Sequence, residues 1–212
     1  MSSEDTEQKK QYHHGDLRRT LIRAGYELIV EGGASSLDLR KVARKAGVSH
    51  TAPYRHFADK KALLAAIAEE GYRGMSRRIR ERLEPMPDHF MDKLHAFATE
   101  YVDFAMNHPQ LMREMFSGLT IEIREYPTLY ESILELFGPL VDMIEQGQET
   151  EEVVQTETLP LALVIWSMMH GVSTLLIENM LQRSIKGPNE AEKMIHLCVN
   201  TLYHGILPRK PS

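Results

Sequence analysis

At 212 residues, with 42% apolar and 26% charged side chains, the chain can build one large domain or two small ones, and its composition is neither disordered nor collagen-like. Its single cysteine, Cys198, excludes an internal disulfide and suits a reducing compartment. The net charge of −5 speaks against a polyanion partner only until the chain is divided: residues 1–83 hold 17 Lys+Arg against 11 Asp+Glu, a net of +6, and residues 84–212 hold 8 against 19, a net of −11.

The opening stretch Met1 to Lys10 is polar and charged, with no apolar run of the kind a secretory signal needs, so a cytoplasmic location is expected. Leu17, Leu21, Ala24 and Leu28 recur at helical spacing and predict a first helix from about Asp16 to Glu31. Gly32-Gly33 ends it, because glycine takes the left-handed backbone that a helix terminus requires. Leu39, Val42, Ala43 and Ala46 predict a two-turn second helix, with Gly47 as its stop and Ser49 as the expected cap of a third, about eight residues long. Helix, glycine turn and short helix is the spacing of a helix-turn-helix, whose second helix is narrow enough for the ~12 Å major groove of DNA.

Within "HTAPYRHF", Pro53 falls early in the expected third helix, where a missing N–H costs little, and its ring is expected to offer an apolar face to a thymine methyl. His50, Thr51 and Tyr54 share one face, with His50, Thr51 and Ala52 the candidate base readers, Arg55, His56 and Lys60 the candidate phosphate contacts, and Ser49 a further candidate DNA-binding residue. The alternative for Tyr54 is a packed helix residue with a wet hydroxyl. Arg40 and Lys41 open the second helix, whose unsatisfied N–H groups also suit a phosphate. Phe57 reads as core.

Lys60 to Leu83 predicts a long fourth helix, and the two prolines of "EPMPD" (Glu84 to Asp88) mark the expected domain boundary. Phe90, Leu94, Phe97, Tyr101 and Phe104 form one stripe of a fifth helix; a sixth runs to about Gly118, a seventh from Pro127 to Gln148, an eighth from Glu157 to Gln182 and a ninth from Glu190 to Ile206. The strongest apolar run, Leu159 to Met169, is too short for a bilayer, and no membrane partner is expected. The fold class is therefore all-α with about nine helices: a helix-turn-helix domain over 12–60, a connecting helix over 61–83, and a ligand-binding and dimerisation domain over 84–208.

In the second half, Phe97, Tyr101, Phe104, Met115, Phe116, Phe137, Trp166, Met169 and His170 are candidate lining for a small-molecule pocket, although each suits a helical core as well. The last two helices are apolar on more than one face, which requires cover on both sides. Leu161, Leu175, Leu176, Met194, Leu197 and Leu202 are the expected interface of an isologous homodimer, with Gly171 permitting close helix approach. An enzyme is the rival class. No Glu-x-x-His, phosphate loop or nucleophile elbow occurs, Asp92 with His95 is the nearest metal-like pair, and neither metal nor cofactor is expected.

The stretch "LRKVARKAGVSHTAPYRHFADKKALLAAI" resembles the DNA-binding region of TetR-family transcription regulators through Ala46, Gly47, Val48, Ser49, Tyr54, Phe57, Lys60 and Leu63. It departs where "HTAP" replaces the usual Gly-Thr-Leu. A subgroup is more similar still, with "YHHGDLR" (Tyr12 to Arg18) ahead of the first helix and a Trp…His-Gly signature met here as Trp166, His170 and Gly171. The resemblance implies phosphate binding by Tyr54 and Lys60, an arm at Tyr12 to Arg18 touching the DNA backbone or minor groove, and an inducer pocket for a mostly apolar effector. It further implies a homodimer on a double-stranded, pseudo-palindromic operator, most simply as a repressor.

Overall fold

The computed structural model describes residues 3–116, 123–181 and 189–206, with side chains from Leu17 onward. All regular structure among them is helical: α1 (Ser3–Gly32), α2 (Leu39–Lys45), α3 (Lys60–Leu83), α4 (Phe90–Asn107), α5 (Pro109–Phe116), α6 (Pro127–Glu149), α7 (Thr158–Ile177) and α8 (Glu190–Ile206), with 3-10 turns at Ala34–Ser36, Pro53–Arg55 and Ile123–Glu125. The all-α expectation holds with eight α-helices rather than nine, because the expected third helix is only a 3-10 turn. The first helix starts at Ser3 instead of Asp16, so the backbone of Tyr12 to Arg18 belongs to it.

The chain forms two compact units, Met1–Gly71 with Gln110–Tyr130 and Tyr72–Pro109 with Glu131–Ser212. Packing thus divides inside α3, not at Glu84 to Asp88. A helix of 24 residues is a rod about 36 Å long at ~1.5 Å per residue, and it gives one end to each unit. Pro85 and Pro87 merely turn the chain within the second.

In the first unit, Leu21, Ile22, Ala24 and Ile29 of α1 are buried together with Leu37, Leu39, Val42, Phe57, Leu63 and Ile67. Helices α1 and α3 approach closely at Gly25, where a Cβ would lie 2.9 Å from Ile67 Cδ1. Near α5 the Gly71 backbone is similarly close, with Met115 Sδ 2.6 Å from a built Cβ. The buried Glu69 carboxylate accepts a hydrogen bond from the Thr128 hydroxyl (2.9 Å).

In the second unit the predicted α4 stripe is buried throughout, from Phe90 to Phe104, and α4 packs against α7 and α8, which also pack on each other. The acidic α6–α7 connection helps to fix the start of α4, where Glu152 Oε2 accepts from the Phe90 N–H (3.0 Å). Pro139 lies inside α6 and cannot donate to the carbonyl of Glu135 four residues earlier. That carbonyl instead receives the Ser76 hydroxyl (2.8 Å) and Arg80 Nη2 (3.1 Å) of α3. Gly138 leaves room for this, since a Cβ there would meet Arg80 Nη2 at 3.1 Å. Helix α7 corrects the length expectation: its 20 residues are long and apolar enough to cross a membrane by length and composition. Ala162, Ile165, Met169, Val172 and Leu176 form its buried side.

Candidate nucleic-acid interface and effector cluster

The candidate interface in the first unit starts from a cap. Asp38 Oδ1 accepts the N–H groups of Arg40 (2.9 Å) and Lys41 (3.2 Å), so the start of α2 already holds an anion, and the expected phosphate site at those N–H groups is corrected. At the other end Gly47 has φ 69°, a left-handed conformation that lets Val48 N–H reach the Ala43 carbonyl (3.0 Å). The chain turns there into the 3-10 segment, which packs beside α2.

Pro53 decides the form of that segment. Lacking an N–H, it cannot bond back to Ser49, and the bonds on either side of it fall at the tighter i−3 spacing, Ala52 to Ser49 (3.0 Å), Arg55 to Ala52 (3.2 Å) and His56 to Pro53 (2.9 Å), before Phe57 reaches the Pro53 carbonyl at i−4 (2.9 Å). The expected eight-residue helix is therefore replaced by one short turn. The ring of Pro53 is buried, which removes it as a thymine contact. Ser49 is not a side-chain cap either; its hydroxyl shares a hydrogen bond with that of Thr51 (3.2 Å). Beneath the turn, Phe57 is buried and carries the Arg18 guanidinium 5.6 Å from its ring centroid.

What remains outward is a polar, cationic surface. Ser49, His50, Thr51 and Arg55 are exposed, Tyr54 is 53% exposed, and Ala52 and His56 are half-buried, His56 tilted against Phe57. Asp59 Oδ1 caps α3 by accepting the Ala62 N–H (2.8 Å), which places exposed Lys60 and Lys61 in the first turn. Arg40, Arg44, Arg55, Lys60 and Lys61 form no ion pair among the described residues. Lys45, by contrast, is committed to Glu27 (3.3 Å) and Glu31 (2.7 Å). Sequence reasoning overlooked both aspartate caps, although an Asp just before each helix was the signal available.

The second unit assembles five of the nine candidate effector residues. Trp166 Nε1 donates to the Tyr101 hydroxyl oxygen (3.1 Å), and that hydroxyl lies 3.1 Å from His170 Nδ1. The Tyr101 hydroxyl thus accepts from Trp166 and shares a second hydrogen bond with His170 Nδ1, joining three side chains through one oxygen. Burial lowers the His170 pKa and raises that of Tyr101, so both groups are held neutral. Trp166 and His170, one turn apart, stack at 5.3 Å, Phe137 tilts against Trp166 at 5.4 Å, and Phe97 stacks on Tyr101 at 6.4 Å. Phe104 packs instead on His108 (4.8 Å), and Met169 is fully buried. Met115 and Phe116 belong to the first unit.

Of the expected interface residues, Leu161, Leu175 and Met194 are half-buried and Leu197 is 60% exposed, while Leu176 and Leu202 are buried within their own unit. Leu159, Leu163 and Val164 of α7 are exposed as well. Gly171 is exposed, and a Cβ there would meet nothing within 4 Å. Cys198 is half-buried, with its thiol pKa raised by burial.

Comparison with known proteins gives two family matches. Residues 21–67 match the model of bacterial regulatory proteins, tetR family, and residues 94–202 match a tetracyclin repressor-like C-terminal domain. A solved protein of unknown function from Rhodococcus sp. RHA1 is 28% identical, with a TM-score of 0.79 over 93% of this chain and 98% of that one. The regulator FadR from Bacillus subtilis, solved in complex with stearoyl-CoA, is 18% identical, with a TM-score of 0.72 over 89% of this chain and 98% of that one. The fatty acid degradation regulator FadR from Bacillus halodurans is 16% identical, with a TM-score of 0.70 over 88% and 94%.

Proposed function

The chain belongs to the TetR family of ligand-responsive, DNA-binding transcriptional regulators, and on that premise we propose that it is a homodimeric, cytoplasmic repressor released from a pseudo-palindromic operator by a mostly apolar effector. The observation that carries this reading is the surface of the first unit, where Thr51, Tyr54, Arg55 and Lys60 are exposed on a turn anchored by buried Pro53 and Phe57. Hydroxyls, an imidazole and a phenol at the turn can address base edges, and the cations on α2 and at the start of α3 can address phosphates. Residues 12–60 are then the DNA-binding domain, 61–83 the connecting helix and 84–208 the effector and dimerisation domain, a division that the family matches at 21–67 and 94–202 support. The aromatic lining of Phe97, Phe137 and Trp166 supports an apolar effector, and the Trp166–His170 pair supports the Trp…His-Gly subgroup.

Release needs an effector that binds the DNA-incompetent arrangement more tightly than the competent one; equal affinity for both moves nothing. Helix α3 contributes residues to both units and is the natural lever. Selection from a random duplex pool tests the reading. The enriched sites should carry inverted repeats, and binding that neutralises roughly 6–10 phosphates should weaken ~10³–10⁵-fold between about 50 and 200 mM salt. A pool that stays unenriched, or affinity flat in salt, would reject it.

A further inference from the structure

His95 on α4 and His196 on α8 belong to helices that pack on each other. Their imidazoles meet across that seam edge to face, with ring centroids 6.1 Å apart and an interplanar angle of 65°. Local spacing offered His95 a different partner, Asp92, but that carboxylate is taken by His89 (3.1 Å). Neither His95 nor His196 forms an ion pair among the described residues. His95 is half-buried and oriented: the Thr99 hydroxyl gives its proton to the His95 carbonyl (2.8 Å), so toward Nδ1 (3.5 Å) its oxygen can only accept. An Nδ1–H held in this way leaves the lone pair on Nε2, as in metal-ligating histidines whose other ring N–H is fixed by a neighbour. His196 is exposed, and the contact with His95 is its one side-chain interaction among the described residues, so its ring is free to turn. Two imidazoles that share an ion through nitrogens ~2.0–2.1 Å from it have centroids about 5–6 Å apart, a spacing that a small turn of His196 reaches.

We propose that His95 and His196 form a binding site for a divalent transition-metal ion that clips α8 to α4. Paired imidazoles suit nickel, copper and zinc, and do not suit magnesium, which takes oxygen ligands. No third His, Cys, Asp or Glu joins the pair among the described residues, so water fills the remaining positions and the affinity is modest. Because the ion needs both helices in place, it binds the folded second unit and stabilises it. The site stands apart from the regulatory reading and would exist whether or not the first unit binds DNA.

Calorimetric titration of the full chain with nickel chloride tests it. The chain carries other histidines, so the site is read as a difference between variants. His196→Gln, at an exposed position, should remove one saturable ion per chain, and His95→Gln should remove the same ion. The double substitution should then remove no more than either alone, the mark of a shared ligand. Zinc chloride should displace that nickel, and magnesium chloride in about tenfold excess should not. At about five times its Kd, nickel should raise the unfolding midpoint by about 2–4 °C, a shift that should vanish in His196→Gln. Loss of the ion in His196→Gln but not in His95→Gln would mean that the two rings do not share it, and would overturn the proposal. So would titrations that both substitutions leave unchanged, loss of two ions from the double variant, displacement by magnesium, a thermal shift that survives His196→Gln, or an absence of saturation at about 1 mM.

Discussion

Tyr54, Thr51 and Lys60 lie within ten residues of one another, yet their chemistry toward DNA differs. Lys60 is an exposed point charge in the first turn of α3, and a point charge attracts every phosphate alike. Lys60→Ala should therefore weaken matched and scrambled duplexes equally and lower the salt slope by about 1. The Thr51 hydroxyl, already oriented by its hydrogen bond with Ser49, can distinguish base edges, and Thr51→Val should shift preference at one base pair by about 1–3 kcal/mol. Competition titrations on single-substituted sites read both, and identical profiles for the two variants would remove the distinction. The residue types of this surface were legible in the sequence because exposure and charge follow from local pattern. The committed and uncommitted states of those residues were not. Lys45 pairs with Glu31 fourteen positions away, and Tyr101 meets Trp166 and His170 across 65 and 69 positions, separations that no local periodicity encodes. The Asp38 cap was local and readable, but the sequence reading assigned those N–H groups a phosphate and passed over the chain's own carboxylate two and three residues away. The nearer one holds them.

Among the elements, α4 is the most legible, since five large apolar residues at helical spacing can only face one way and all five are buried. The recognition segment is the least legible. A proline near a helix start is compatible with an α-helix or with a 3-10 turn, and the i−3 bonds on either side of Pro53, with its ring buried, are what the sequence does not display. Proline has the opposite consequence in α6. There Pro139 leaves the Glu135 carbonyl for donors on α3, turning a local defect into a joint between two helices. Ser76 is buried, so Ser76→Ala should cost about 1–2 kcal/mol in urea-unfolding free energy. Pro139→Ala would restore the N–H that bonds the same carbonyl within α6, and in that background the Ser76→Ala penalty should fall to within about 0.5 kcal/mol of zero. The double-mutant cycle isolates this coupling. Independent, additive effects of the two substitutions would mean that the carbonyl is not the shared acceptor.

At the scale of the whole molecule, the exposed Leu159, Leu163 and Val164 of α7 and Leu197 of α8 are the apolar surface available to a second copy of the proposed dimer. Leu197→Glu would place a charge from each copy at that interface, so sedimentation should show monomers with intact helicity and lost binding to paired half-sites; a persisting dimer would relocate the interface. Stability against pH tests the second unit from within. His170 is kept below the ordinary imidazole pKa by burial, and His108 by burial and then by the positive charge of Arg78. Both therefore bind protons less readily folded than unfolded. Above the unfolded value of about 6.5 both states are neutral and the full stability is present. As pH falls below it, the unfolded chain takes up protons that the folded chain refuses, and stability declines until the lowered folded pKa values are passed. The unfolding free energy should thus drop between about pH 7 and pH 5, ahead of the carboxylate window near ~4 where Glu27 and Asp88, both lowered by lysine partners, give up their own contributions. His170→Gln, which cannot titrate, should flatten the upper part of that decline and leave the lower part in place. An unchanged profile in the variant would show that the imidazole stays neutral in both states or charges equally in both, and the relay from Trp166 through Tyr101 would then have no proton-dependent role.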